Sequence, residues 1–213
     1  MHATPSVLPN LVPSLLASRV QRAMELRIDV DPSLTSPSGA LAPIYERLNT
    51  PGDRLHGIPS ISLGEPELQI RFREADGEFY VYVEDVRRGC LAGYTVFNRL
   101  VELGSLADRY VRAPHSQYEP GYRRRGLASG IYRWALDSGL CLMTGARQSH
   151  AAHALWRSLA HHYVSGFVDL RHKRLTYLGR EVSASTLAQL HTRMFLLGGG
   201  WTQRQFKDAV RMS

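Results

Sequence analysis

Lysine is nearly missing from this chain of 213 residues: Lys173 and Lys207 are its only two, although Lys and Arg together number 26. Arginine therefore carries almost all of the basic charge, and the formal net charge is +7. A G+C-rich genome produces such a bias without any functional cause. The positive balance itself favours anionic partners, nucleic acid and acidic proteins among them. Cysteine is just as scarce. Cys90 and Cys141 stand alone, which excludes a disulfide framework or a cysteine-based zinc site and makes a reducing cytoplasm the expected compartment. No apolar run approaches the roughly 20 residues of a membrane span, so no membrane is expected as a partner. The first two dozen residues hold Pro5, Pro9 and Pro13 and no early basic cluster, a poor fit to a secretory signal. A chain of this length can bury a full core and is expected to form one domain with extensions.

What the sequence does hold is the decamer Pro120-Gly121-Tyr122-Arg123-Arg124-Arg125-Gly126-Leu127-Ala128-Ser129. From Leu127 onward, Leu127, Ile131, Trp134 and Ala135 fall on one helical face, and Gly139 supplies the stop. The three arginines and Gly126 therefore stand at a helix N-terminus. There the first amides lack intrahelical partners and the helix dipole is positive, so a bound phosphate is stabilised by both. Gly126 lets the anion approach the backbone, and Ala128 and Ser129 keep the first turn narrow. Arg124 and Arg125 add charge-assisted hydrogen bonds worth about 1.5–3 kcal/mol each before desolvation.

Residues 1–64 are rich in proline, serine and glycine, with helical spacing over 11–26 and 41–48 and loops between. At residue 67 the pattern changes to period two. Leu68, Ile70 and Phe72 alternate with Gln69, Arg71 and Arg73, and Asp76-Gly77 turns the chain into Phe79, Val81 and Val83, which predicts a hairpin. Arg88-Gly89 leads into a further strand over 90–97, and 100–111 reads as another. Pro114 interrupts the next run, so 113–117 is expected to be an insertion or bulge. After the decamer and its helix come a short apolar run at 140–143 and a helix from about 149 with Ala152, Leu155, Trp156 and Leu159 on one face. A strand pair over 163–170 and 174–178 follows. Residues 183–197 read as a helix with Leu187, Leu190, Met194 and Leu197 in register, and Gly198-Gly199-Gly200 separates it from a short basic helix capped by Thr202.

Read as P-x-Y-R-x-x-G-x-A, the decamer resembles the acyl-coenzyme A pyrophosphate loop of the GNAT N-acetyltransferase superfamily, Q/R-x-x-G-x-G/A ahead of a helix. Arg123, Gly126 and Ala128 occupy the three defining positions. A second segment, Gln148-Ser149-x-x-Ala152-x-x-Leu155-Trp156, is similar to the family's N-x-x-A-x-x-L-Y. The resemblance covers about residues 67–178. It implies an α/β (mixed α+β) fold, the GNAT acyl-CoA N-acyltransferase fold, with a central, mostly antiparallel sheet and flanking helices. The core would occupy 65–179, between an N-terminal extension at 1–64 packed on it and a C-terminal helical extension at 180–213. The implied activity is transfer of an acetyl group from acetyl-CoA to an amine of a protein or peptide, by direct attack in a ternary complex. The implied cofactor residues are Arg123, Arg124, Arg125, Gly126, Leu127, Ala128 and Ser129 at the pyrophosphate, Ser116 and Tyr118 along the pantetheine arm, and Ser149. Lysine scarcity gains a second explanation here, since an enzyme that acetylates lysine benefits from offering few of its own.

Such chemistry needs an amine freed of its proton, and lysine begins near pKa 10.4. It also needs a donor aimed at the oxyanion and help for a leaving thiolate whose thiol pKa is about 8.5. Where many relatives carry a tyrosine as general acid, this chain has Trp156, whose indole N–H donates a hydrogen bond but is no acid. The candidates for proton transfer are Tyr163 just beyond the helix, His153 one turn before Trp156, and Asp108 and Glu119 flanking the presumed fourth strand. Each also has an ordinary packing or surface reading. His150, His153, His161 and His162 lack cysteine or carboxylate partners at ligand spacing, so no metal is expected. Three function classes stay open. One is the N-acyltransferase. The second keeps its chemistry but acts on aminoacyl-tRNA, as in the toxin branch of the superfamily, and the arginine-rich charge favours it. The third is a non-catalytic acyl-CoA-binding module acting through a partner, which Trp156 favours. A homodimer built on the extensions is a further expectation.

Overall fold

The computed structural model describes residues 41–62, 67–146 and 148–213. The helical spacing at 11–26 and the loops that follow it lie outside these residues. Helix α1 (Ala42–Asn49) leads to β1 (Ser60–Ser62) and then to a meander of β2 (Leu68–Ala75), β3 (Glu78–Asp85) and β4 (Cys90–Asn98). At the first hairpin Asp76 and Gly77 both take positive φ, 52° and 76°, which suits the right-handed twist of the strands they join. Next come α2 (Ser105–Asp108), β5 (Val111–Tyr118), a 3-10 turn at Pro120–Tyr122, α3 (Leu127–Asp137), β6 (Cys141–Met143) and α4 (His150–Ala160). The chain continues through β7 (Ser165–Arg171), β8 (Arg174–Gly179), α5 (Ala184–Leu187), β9 (Thr192–Leu196) and α6 (Gln203–Val210).

The strands form one sheet in the order β1-β2-β3-β4-β5-β6-β9-β7-β8. β5 and β6 run parallel, and the other neighbouring pairs are antiparallel. The fold is therefore mixed α/β with a large, mostly antiparallel sheet and flanking helices. Period-two alternation divides its side chains between two faces. Val81 and Val83 join Ile131, Tyr132, Trp156 and Leu159 of α3 and α4 in one core. Tyr82, Tyr94 and Val96 meet Leu48 of α1 on the other face. A third cluster packs Phe206 and Val210 of α6 on Val111, Met143 and Phe195.

Three segments differ from the sequence expectation. Residues 100–110 do not form a strand. Asp108 accepts from the Leu100 amide at 3.0 Å and from Arg99 Nε at 2.7 Å, and these bonds curl the segment into α2 before β5 begins at Val111. Pro114 does not break β5 either, for the register runs unshifted from Gly93↔Tyr118 to Asn98↔Ala113. The Glu119 amide donates to Ala92 O at 3.0 Å. Because successive peptide groups point to opposite sides of a strand, 117, 115 and 113 also face β4, and 118, 116 and 114 face away. Pro114, which lacks an N–H, thus stands where no bond to β4 is required.

The third difference is at 183–197, where the expected helix is limited to α5 and residues 192–196 form β9, buried at every position. β9 lies between β6 and β7, so the sheet does not end at 179 but continues to residue 196. Met194, Phe195, Leu196 and Leu197 make a short apolar run, which periodicity alone cannot assign to a strand rather than a buried helix. The final helix matches its expectation: Thr202 and Gln205 form a capping box at the start of α6.

Gly93 sets how closely β4 and β5 can approach. A Cβ there would lie 2.5 Å from the Gln117 carbonyl and deep inside the Tyr118 ring. Gly93→Ala is expected to lower unfolding free energy by about 1–3 kcal/mol, measured by urea denaturation. An unchanged midpoint would contradict this packing of Tyr118.

Candidate functional site

β5 is held by two neighbours that pull it apart from one of them. It pairs with β6 only at Val111↔Cys141 and Arg112↔Leu142, but with β4 through six positions up to Tyr118. β6 meanwhile follows β9. Leu142↔Leu196 and Met143↔Phe195 are paired, the Thr144 amide donates to Met194 O at 2.9 Å, and the Met194 amide donates to Thr144 Oγ1 at 3.0 Å. The two parallel strands therefore diverge from Ala113 onward. By the alternation above, the Ser116 N–H and C=O and the Tyr118 N–H face the opening. The Tyr118 carbonyl accepts from Arg123 Nε at 2.8 Å.

The chain passes from the mouth of this opening directly into α3. Gly126 is the N-cap of α3 with φ 82° and ψ −1°, and Arg124 has φ 58°. A Cβ at Gly126 would meet nothing within 4 Å, so the space before the helix is open. Gly130 N bonds Gly126 O at 2.8 Å, while the amides of Leu127, Ala128 and Ser129 belong to the first turn, where no intrahelical acceptor exists. Arg123, Arg124 and Arg125 are exposed around that end.

A buried cluster fixes the loop from below. Tyr122 Oη donates to Asp85 Oδ2 at 2.6 Å, and the Arg88 amide donates to Asp85 Oδ1 at 2.8 Å. Arg125 and Arg88 lie over the Tyr122 ring, 5.4 and 5.7 Å from its centroid. The Tyr122 hydrogen bond holds the Asp85 carboxyl below its ordinary pKa against the opposing effect of burial. Burial and the bond to Asp85 push the Tyr122 phenol up.

The residues expected to move protons are spread over the molecule. Tyr163 donates to Asp137 Oδ1 at 2.6 Å, at the last residue of α3, about 15 Å along the helix axis from Leu127. Burial, with help from Asp137, pushes its phenol up to about 12. Asp108 is occupied by Arg99 and the Leu100 amide, and its carbonyl accepts from Arg112 Nη1. His153 is half-buried in the first half of α4. Ser149 is the N-cap of α4, its Oγ accepting from the Ala152 amide at 3.2 Å. None of these is hydrogen-bonded to the diverging stretch of β5.

Two residues that sequence reading missed lie beside that stretch. Tyr132 of α3 is buried, with Oη 3.3 Å from Ser116 Oγ. Its only sequence signal is a hydroxyl on an apolar helix face. His115 belongs to β5 itself. Its Nε2 is buried and has no hydrogen-bond partner among the described residues, and burial lowers its pKa. Alternation along β5 turns it to the opposite face from Ser116. Among the described residues no group of three or more His, Cys, Asp or Glu side chains is arranged to hold a metal ion, and no helix is long and apolar enough to cross a membrane.

Neither a family model nor a curated protein sequence matches this chain. Among solved structures it is similar to a GNAT superfamily phosphinothricin acetyltransferase from Sinorhizobium meliloti in complex with AcCoA. That match has 21% identity over 64% of this chain and 72% of the other, with a TM-score of 0.36. It is also similar to spermidine N-acetyltransferase from Vibrio cholerae in complex with CoA and spermine, with 20% identity over 62% of this chain and 69% of the other and a TM-score of 0.32.

The Tyr122–Asp85 bond gives the loop a pH-dependent anchor. Asp85 has a depressed native pKa, so its contribution is fully present above the unfolded carboxylate value and is lost as pH falls through the native value. Tyr122→Phe is expected to cost about 1–3 kcal/mol at neutral pH. Urea denaturation from pH 7 down into the acid range should show the two proteins converging, and a difference that stays constant with pH would refute the assignment.

Proposed function

We propose that this protein is a GNAT-type N-acyltransferase that moves an acetyl group from acetyl-CoA to an amine, with a protein or peptide as acceptor. One observation carries the reading. A parallel strand pair parts after two residue pairs, and the chain leaving its mouth enters a helix through an arginine-rich turn with a left-handed glycine. An elongated ligand with amide groups along its arm and phosphates at one end matches that arrangement. Peptide groups of Ser116 and Tyr118 would bond the arm as a further strand does. The amides of Leu127, Ala128 and Ser129, together with Arg124 and Arg125, would hold the phosphates, and the open space at Gly126 leaves room for them. When bound, acetyl-CoA supplies an activated thioester carbonyl.

Water takes the proton of the attacking amine in this reading. A free strand amide offers a donor to the oxyanion. Lysine scarcity fits a protein or peptide acceptor, as it equally fits a G+C-rich genome.

Isothermal titration with acetyl-CoA, free coenzyme A and dephospho-coenzyme A tests the reading. Micromolar binding is expected. Gly126→Glu, which puts a carboxylate into the phosphate space and a side chain at φ 82°, should abolish it while leaving most of the thermal stability. Unchanged affinity in that variant would sink the proposal. Mass-spectrometric screening of proteins, peptides and small polyamines then identifies the acceptor class.

A further inference from the structure

The hydroxyl groups beside the opening form a directed chain. Thr95 Oγ1, wholly buried, lies 3.1 Å from Tyr118 Oη and 2.7 Å from Ser116 Oγ. At the last link the angles suit Ser116 as donor and Tyr132 as acceptor, at 3.3 Å. Each hydroxyl has a single hydrogen. With that of Ser116 committed to Tyr132, Thr95 must donate to Ser116 and Tyr118 to Thr95. The hydrogen left over belongs to Tyr132, and it has no acceptor among the described residues. The side chain is only 5% exposed, and leaving a buried donor unmade is unfavourable enough that its place demands a cause. Successive bonds also polarise one another, so the terminal hydrogen is the most strongly polarised of the four.

Ser116 lies in the diverging stretch of β5, so the chain of hydroxyls ends beside the opening. The Tyr132 ring packs edge-on to Trp156, with centroids 6.3 Å apart, and against Phe97 at 6.0 Å. Its surroundings of Ser116, Phe97 and Trp156 contribute no charge. Trp156 has no hydroxyl, and Tyr132 brings one beside it from a different helix.

We propose that Tyr132 is the hydrogen-bond donor to the sulfur that leaves during acyl transfer. The amine nitrogen forms its bond to the acyl carbon, the carbon–sulfur bond breaks with its electron pair staying on sulfur, and the Tyr132 O–H binds the resulting thiolate. The amine's proton leaves to water, and the thiolate takes a proton from water on release. Tyr132 keeps its own proton throughout, because burial pushes the phenol up to about 12, well above a thiol near 8.5. This role rests on the acyltransferase reading.

Its test uses free coenzyme A and needs no acceptor. The thiol of bound coenzyme A is titrated by the ultraviolet absorbance of its thiolate, in the unaltered protein and in Tyr132→Phe. The bound thiol is expected to titrate about one pKa unit higher in Tyr132→Phe, with affinity at neutral pH nearly unchanged. Ser116→Ala keeps the phenol but removes the donor behind it, and should give a smaller shift in the same direction. Should Tyr132→Phe fail to fold, Ser116→Ala decides, and no shift there overturns the proposal. Equal thiol pKa values with coenzyme A bound to both proteins would overturn Tyr132's role and leave the acyltransferase reading intact. Failure of the unaltered protein to bind coenzyme A would overturn both.

Discussion

The divergence of β5 from β6 is the constraint on which the site depends. A strand in the middle of a sheet normally satisfies peptide groups on both edges, and leaving them unmet is costly. Here β5 pairs with β4 at six positions, from Ala113 to Tyr118, and with β6 at only two. The cause is not local weakness in β5. β6 is tied to β9 by strand pairing and by two bonds around Thr144, so it cannot follow β5 as the sheet twists. The groups on the open edge that have no partner among the described residues are therefore a consequence of topology, and Pro114 falls on that edge because only there is its missing N–H tolerated.

Two kinds of attraction meet at the opening, and they differ in range. At the mouth, exposed arginines act across water, where salt screens beyond about 10 Å at 0.1 M. Inside, backbone amides and neutral hydroxyls act only at hydrogen-bond distance, in surroundings where their bonds are stronger. The Tyr122–Asp85 cluster links the regions by fixing the loop that carries the arginines to the β3–β4 turn. α3 spans both, presenting its first amides at the mouth and Tyr132 about 7.5 Å further along its axis.

What the sequence revealed is mostly what local chemistry decides. Alternation in β2 and β3, the Asp76-Gly77 turn, the start of α3 at Gly126 and the Thr202 cap each depend on neighbours within a few residues, and each is found where the sequence puts it. The arginine-rich turn ahead of α3 was legible for the same reason. Non-local choices were hidden. Nothing near Thr192 announces that Thr192–Leu196 fills the gap between β6 and β7, since helical register at 187, 190, 194 and 197 fits those residues equally well. Pro114 looked like a break because the sequence does not tell which edge of β5 lacks a partner. Tyr163 was a candidate in the sequence and Tyr132 was not, for only the folded chain shows that the first is bonded to Asp137 and the second stands beside Ser116.

The placement of β9 also changes what the C-terminal segment is for. Read as an appended helix, residues 183–197 have no part in the opening. As a strand they border it, because β9 pairs with the far edge of β6 and holds that strand in place while its near edge keeps two pairs with β5. The glycines after β9 permit this insertion: a Cβ at Gly198 would collide with the backbone of Gly139 and Leu140, so the turn leaving α3 and the turn leaving β9 pass in backbone contact. That crossing brings Trp201 Nε1 to the Gly139 carbonyl at 3.1 Å and sets α6 against the face below. The residues that shape the opening are thus as much those near 140 and 195 as those that line it.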